Sequence, residues 1–194
     1  RNPFRITVDD ATGAVYWGDV GPNIQIDLGI GPNGYDEVNR ATAAGNFGWP
    51  MFNGPNEAFR LFDFETRKPG ALFDVKQPVN DSPNNTGIQK LPLPQPAFLW
   101  YPSGESDRWP NVGSGGRSAM AGPVYHAPQT ADASLRLHDS FDGKVFLYEW
   151  TRNWLRTGTV NADGTLGELT PFMPNAVFRK PIDMEFAADG TLYV

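Results

Sequence analysis

ATGAVYWGD (residues 11–19), FDGKVFLYEW (141–150) and ADGTLYV (188–194) share one form: turn residues, a glycine, one further residue, then an apolar and aromatic run. Each reads as a tight turn feeding a β-strand. Gly143 and Gly190 lie 47 residues apart (190 − 143), close to the spacing of successive four-stranded sheets in a β-propeller. From Gly13 to Gly143 the interval is 130 (143 − 13), so a long insertion separates the first copy from the second. A sheet of this kind cannot bury both faces alone, and neighbours stack around an axis.

The strands fall into place around those three runs. Residues 1–9 alternate, with Phe4, Ile6 and Val8 on one face and Arg5 and Thr7 on the other, and return through residues 14–17 as a hairpin. Residues 37–40 form a third short strand. Order returns at 97–101, 119–125 and 145–150, then in a hairpin whose arms are 154–160 and 165–169 around Asn161-Ala162-Asp163-Gly164, and finally at 182–186 and 191–194. Residues 51–96 lack periodicity and read as a long inter-strand insertion, pinned to the body by Phe59, Leu61, Phe62, Phe64, Leu72 and Phe73, with Phe62 and Phe64 in a short edge strand. No stretch reads as an amphipathic helix. The expectation is an all-β chain: two to three blades of a partial six-bladed β-propeller with a long loop insertion, residues 1–194 forming a single fragment of one propeller domain.

Composition agrees. The chain of 194 residues holds 21 Gly and 18 Pro, well above the usual share and suited to many short strands joined by structured turns. Six Trp and 13 Phe supply flat pieces for packing sheet on sheet. A net charge of −6 repels a phosphate backbone, so nucleic acid is not an expected partner. Without cysteine there are no disulfides and no thiolate metal sites. No apolar run approaches the length of a membrane helix.

Residues 16–50 concentrate the candidate chemistry: two Gly-Pro pairs, Gly21-Pro22 and Gly31-Pro32, the acidic pair Asp36-Glu37, and Gly45-Asn46-Phe47-Gly48-Trp49-Pro50. Carbonyls exposed at Gly-Pro corners beside a carboxylate suit a hard cation such as calcium, which takes several oxygens with little geometric strictness. The plain alternative is a loop rich in turn residues that holds nothing.

In order, Arg1-Asn2-Pro3-Phe4, Val20-Gly21-Pro22, Asp36-Glu37-Val38-Asn39 and Gly45-Asn46-Phe47-Gly48-Trp49-Pro50 resemble the six-bladed propeller dehydrogenases that use pyrroloquinoline quinone (PQQ) and calcium, the soluble glucose, aldose and sorbosone dehydrogenases. The likeness is strong over residues 1–50, compatible over 119–194 and absent over 51–96. It implies that Arg1 and Asn2 hydrogen-bond the acidic quinone, as a guanidinium forks onto carboxylates. It further implies that the carbonyls of Gly21 and Pro22 hold a calcium ion bridging to that quinone. Gly31-Pro32 competes for the ion, because the family motif also runs from a Gly-Pro into the acidic pair. Glu37 and the carbonyl of Phe47 match a second, structural calcium site. Arg152, Arg179 and Lys180 stand near strand starts where the family sets basic residues against the cofactor; surface charge is their plain alternative.

By the same likeness the parent is an oxidoreductase of carbohydrate metabolism. It would oxidise a sugar to its lactone, hand electrons to a cytochrome or other acceptor, and work in the periplasm or after secretion. The family's His base lies upstream of the Arg-Asn motif, so no catalytic residue is assigned here and the fragment alone is not expected to turn over substrate. His126 and His138 read as surface or edge histidines. Two further classes stay open: a propeller used only for binding or scaffolding, and a calcium-dependent propeller lactonase. Receptor propellers repeat a YWTD motif in nearly every blade; Tyr16-Trp17-Gly18-Asp19 resembles it only once.

Overall fold

The computed structural model describes residues 2–24, 29–129, 132 and 134–194. Its strands are β1 (Asn2–Asp9), β2 (Ala14–Val20), β3 (Asp36–Ala41), β4 (Phe52–Asn53), β5 (Glu57–Ala58), β6 (Arg60–Asp63), β7 (Lys68–Leu72), β8 (Leu99–Tyr101), β9 (Ala119–Val124), β10 (Val145–Glu149), β11 (Trp154–Val160), β12 (Leu166–Pro171), β13 (Glu185–Phe186) and β14 (Leu192–Tyr193). Helix among the described residues is limited to two single 3-10 turns, Pro110–Val112 and Asp139–Phe141, and no helix is long and apolar enough to cross a membrane.

Two four-stranded antiparallel sheets dominate, in the orders β1-β2-β3-β8 and β12-β11-β10-β9. A two-stranded sheet, β13-β14, follows them. The three repeated runs occupy equivalent places: each enters the second strand of its sheet (β2, β10, β14) from a glycine in the left-handed region, Gly13 at φ 71°, Gly143 at 73° and Gly190 at 86°. Meandering sheets stacked in succession make this all-β chain a partial β-propeller.

The first two sheets pack along β1, β2 and β9. Their shared core holds Tyr16, Val38, Leu99, Tyr101, Ala119, Val145, Leu147 and Trp154; a second cluster, with Tyr125, Phe146, Tyr148, Phe172 and Met184, lies between the second sheet and the third. Alternation along β1 divides it as read from the sequence. Asp9 is buried, Arg5 and Thr7 are half-buried, and Phe4, Ile6 and Val8 are exposed.

Residues 51–96 lie between β3 and β8, which are hydrogen-bonded neighbours, so the segment interrupts the first sheet before its last strand. Expected to be a non-periodic insertion with a short edge strand at Phe62 and Phe64, it forms two small hairpins, β4-β5 and β6-β7. Of the expected anchors Phe59 holds and others do not. Phe59 is buried, together with Met51, Phe52 and Asn53, whereas Leu61, Phe64 and Leu72 are exposed; Phe62 lies in β6 and Phe64 just beyond it. Phe62 and Phe64 meet edge to face, 5.2 Å apart, and shelter each other instead of the body.

Candidate functional site

One end of the two large sheets gathers most of the expected site. Antiparallel register sets Asn2 opposite Val20, so Asn2 stands beside the Gly21 corner. Asp36, at the start of β3, accepts the Gly21 N–H at 3.1 Å and, with its other oxygen, the Ala119 N–H at 3.0 Å. Ala119 pairs with Glu149 across the second sheet, and just beyond lies the turn whose Asn153 Oδ1 accepts the Lys180 N–H at 2.8 Å. Asn2, Gly21, Pro22, Arg152 and Lys180 therefore share one end of the stack. Lys180 lays its Nζ over the Trp150 ring, 4.0 Å from the centroid, and Arg179 is exposed beside it. Arg1 lies outside the described residues.

That end is built on a buried network which the sequence did not announce. Arg117 pairs with Asp36 at 3.5 Å and donates to the carbonyls of Pro22 (3.0 Å) and Gly34. Glu149, fully buried, accepts the N–H groups of Ser118 and Arg152. Burial raises the carboxyl pKa of Asp36, partly offset by the Ala119 N–H and the Arg117 charge. Burial likewise raises that of Glu149 against its two backbone donors. The phenol of Tyr101, wholly enclosed with both carboxylates nearby, is held well above its ordinary range. The arrangement joins the two sheets through paired charges that have left water together.

Arg152 takes a structural position within it. Nε donates to Gly116, one terminal nitrogen to Val112 and Gly113, and the other to Pro102 and Gly115, all backbone carbonyls. The guanidinium also lies 4.8 Å over the Tyr101 ring. All five of its N–H donors are thereby engaged, which leaves none for an external anion.

A second buried polar cluster lies on one face of β2 and β3. Asp19 and Glu37 are register partners, as are Trp17 and Asn39. Asp19 Oδ2 accepts from Trp17 Nε1 at 3.0 Å and from Asn39 Nδ2 at 3.1 Å; Glu37 accepts from Asn39 Nδ2 at 3.3 Å and from the Gly54 N–H at 2.6 Å. Asn39 Oδ1 is buried without a hydrogen-bond partner among the described residues; Asn53, next to Gly54 in the chain, is buried with neither polar atom of its side chain partnered there. The Phe47 ring meets Trp17 edge to face at 4.7 Å, bringing Phe47 to the margin of this cluster. Among the described residues no three His, Cys, Asp or Glu side chains converge as a metal group. Two carboxylates supplemented by the Asn39 carboxamide oxygen make a donor set of hard oxygens, which suits calcium.

The first Gly-Pro corner is less suited to an ion. The Pro22 carbonyl already accepts the Ile24 N–H at 2.8 Å and the Arg117 guanidinium at 3.0 Å, so both lone pairs are engaged and a positive charge sits beside them. At the competing pair, no described residue donates to the carbonyls of Gly31 or Pro32.

Sequence reasoning missed Asp19, Asn39 and Arg117, and it singled out Asp36 in the acidic pair without its link to Arg117. A signal existed for the first two: Trp17/Asp19 and Glu37/Asn39 are i, i+2 polar pairs inside apolar strands, which places each pair on one face. His126, read as a surface histidine, is half of a tight pair, its Nε2 2.7 Å from the buried Asp9 Oδ1 and linking β1 to the end of β9. His138 is exposed and caps a 3-10 turn through Ser140.

No protein-family model matches the chain, and no curated protein sequence matches it. Among solved structures it is similar to one described as a crystal structure of glucose dehydrogenase, with a TM-score of 0.50 and 15% identity, over 100% of this chain and 40% of that one. The likeness bears on the fold, and the chain spans well under half the length of that neighbour.

Proposed function

We propose that this chain is part of a quinone-dependent sugar dehydrogenase that oxidises an aldose to its lactone, with PQQ and calcium as cofactors. The observation that carries the reading is the enclosed oxygen cluster of Asp19, Glu37 and Asn39 beside Phe47, lying at the motif whose order along the chain resembles that family. Two carboxylates buried side by side repel each other, and a divalent cation removes that cost. Asp19, Glu37 and the carboxamide oxygen of Asn39 would hold the ion, with the Phe47 carbonyl as the further ligand implied by the motif.

When bound, the quinone supplies the hydride acceptor. Asn2, Arg179 and Lys180 are the residues of this chain offered to it: a carboxamide and two cations suited to an acidic ligand. Arg152 orders the rim beneath instead of reaching outward. No step is routed through an ion at Pro22, whose carbonyl is engaged. Export to the periplasm or beyond, and a cytochrome or similar electron acceptor, belong to the same reading.

The test is dye reduction by the intact protein that carries this chain, supplied with calcium, PQQ, an aldose and an artificial electron acceptor. Calcium- and quinone-dependent bleaching is expected. Quinone that fails to bind, together with no turnover over a panel of aldoses, would overturn the reading in favour of a scaffolding propeller, which the full engagement of Arg152 and Pro22 would then explain.

A further inference from the structure

On the outer flank, where the first two sheets meet, a cavity of about 450 Å³ is lined by Arg40, Gln95, Phe98, Trp100, Arg108 and Trp109 together with the 163–166 turn. Its size lies within the roughly 300–1,000 Å³ typical of small-ligand pockets. It faces away from the end just described: β3 runs from Asp36 at that end to Arg40 and Ala41 at this one, and the Asp163-Gly164 turn closes the far end of β11 and β12.

Its walls combine two chemistries. Trp100 and Trp109 meet edge to face at 5.9 Å, and because Trp109 and Phe98 are buried it is the half-buried Trp100 that offers ring surface to the cavity. Two guanidiniums share the lining. Arg40 donates Nε to the Tyr16 hydroxyl at 3.0 Å and lies against Gly164, while Arg108 rests 4.4 Å over the Trp109 ring. Neither guanidinium has a carboxylate partner within ion-pair distance among the described residues. The one carboxylate in the lining, Asp163, already accepts the Thr165 N–H at 3.0 Å and its hydroxyl at 2.6 Å. In a chain of net charge −6, two guanidiniums against one carboxylate leave this lining with an excess of positive charge beside an aromatic ring.

From this juxtaposition we infer that the cavity binds an anionic saccharide unit. The sugar's C–H face would lie on the Trp100 indole, as apolar ring surface does, and its carboxylate or phosphate ester would bridge Arg40 and Arg108. Gln95 and Thr42, also in the wall, are placed for hydroxyls. A neutral sugar would leave both guanidiniums without an anion, and a bare anion would leave the Trp100 ring uncovered. The site is independent of the quinone reading, and either can fail without the other.

Tryptophan fluorescence of the chain, titrated with glucuronate, glucose 6-phosphate, glucose, acetate and inorganic phosphate, tests this. A saturable change with glucuronate or glucose 6-phosphate is expected, and which of the two binds tells carboxylate from phosphate ester. Affinity should fall about tenfold in Arg108→Gln, a replacement at an exposed position that leaves the fold in place. Glucose, acetate and phosphate should each bind at least about tenfold more weakly than the better ligand. No saturable response to either anionic sugar overturns the inference. So does equal binding of glucose, equal binding of the bare anions, or unchanged affinity in Arg108→Gln.

Discussion

Asp36 and Arg117 face each other at 3.5 Å in the interior, the first opening β3 and the second standing just ahead of β9, so one ion pair bolts two sheets together. Removing one partner of such a pair strands the other. Arg117→Met should lower the unfolding free energy by about 3–5 kcal/mol, measured by urea denaturation, and Asp36→Asn in that background should recover part of the loss. A simple sum of the two single effects would show that the residues act separately.

Where the sheets come closest, a side chain has no room. A Cβ on Gly18 would fall 2.1 Å from the Ala119 carbonyl oxygen and 2.9 Å from the Met120 Cα, both backbone. Gly18→Ala should therefore cost about 3 kcal/mol or more in thermal or urea unfolding, at the upper end for overpacking. A neutral outcome would mean that the two sheets slide freely.

The legibility of this molecule followed the periodicity of its strands. Gly13, Gly143 and Gly190 with the apolar runs after them marked the second strand of each sheet, because turn chemistry and alternation are local. The insertion was opaque for the opposite reason. Phe59 is buried and Phe64 is not, and nothing within five residues tells them apart; what decides is distant in the chain, since the Phe59 ring lies against Gly31 and meets Trp49 edge to face at 6.0 Å. At the site, Glu37 was visible through its motif. Arg117 was not, since its partners Asp36, Gly34 and Pro22 lie more than 80 residues away and only the folded register brings them together.

Calcium should raise the thermal midpoint of the chain if the Asp19–Glu37 cluster holds it. At a concentration about a hundredfold above the dissociation constant the gain is about 2.7 kcal/mol. Glu37→Gln should abolish most of the calcium-dependent shift, read by differential scanning fluorimetry with and without chelator. Equal shifts in both proteins would move the ion elsewhere.

Acid should loosen the contact between β1 and β9. Burial works against the charged form of Asp9, but the Thr12 hydroxyl, the His126 ring and the Ala11 N–H together outweigh it and hold the carboxyl below its ordinary value of 3.8. A depressed folded pKa makes this contribution fully present above about pH 3.8, to be lost as pH falls through the folded value. In denaturation series from pH 6 downward, Asp9→Asn should start less stable and lose less on the acid limb. Parallel curves would remove Asp9 from the account.

Arg152→Lys keeps the charge and loses the fork. An ammonium has three donors for five carbonyls, so residues 102–116 should exchange their amide hydrogens faster, with a stability loss of about 2–3 kcal/mol. Unchanged exchange there would show that other contacts suffice.

With one guanidinium gathering carbonyls from Pro102 to Gly116, that strip of rim travels with the second sheet as a solid ledge. A molecule arriving there meets a surface already set, so capture requires little new ordering, and dissociation, more than rearrangement, governs how long it stays.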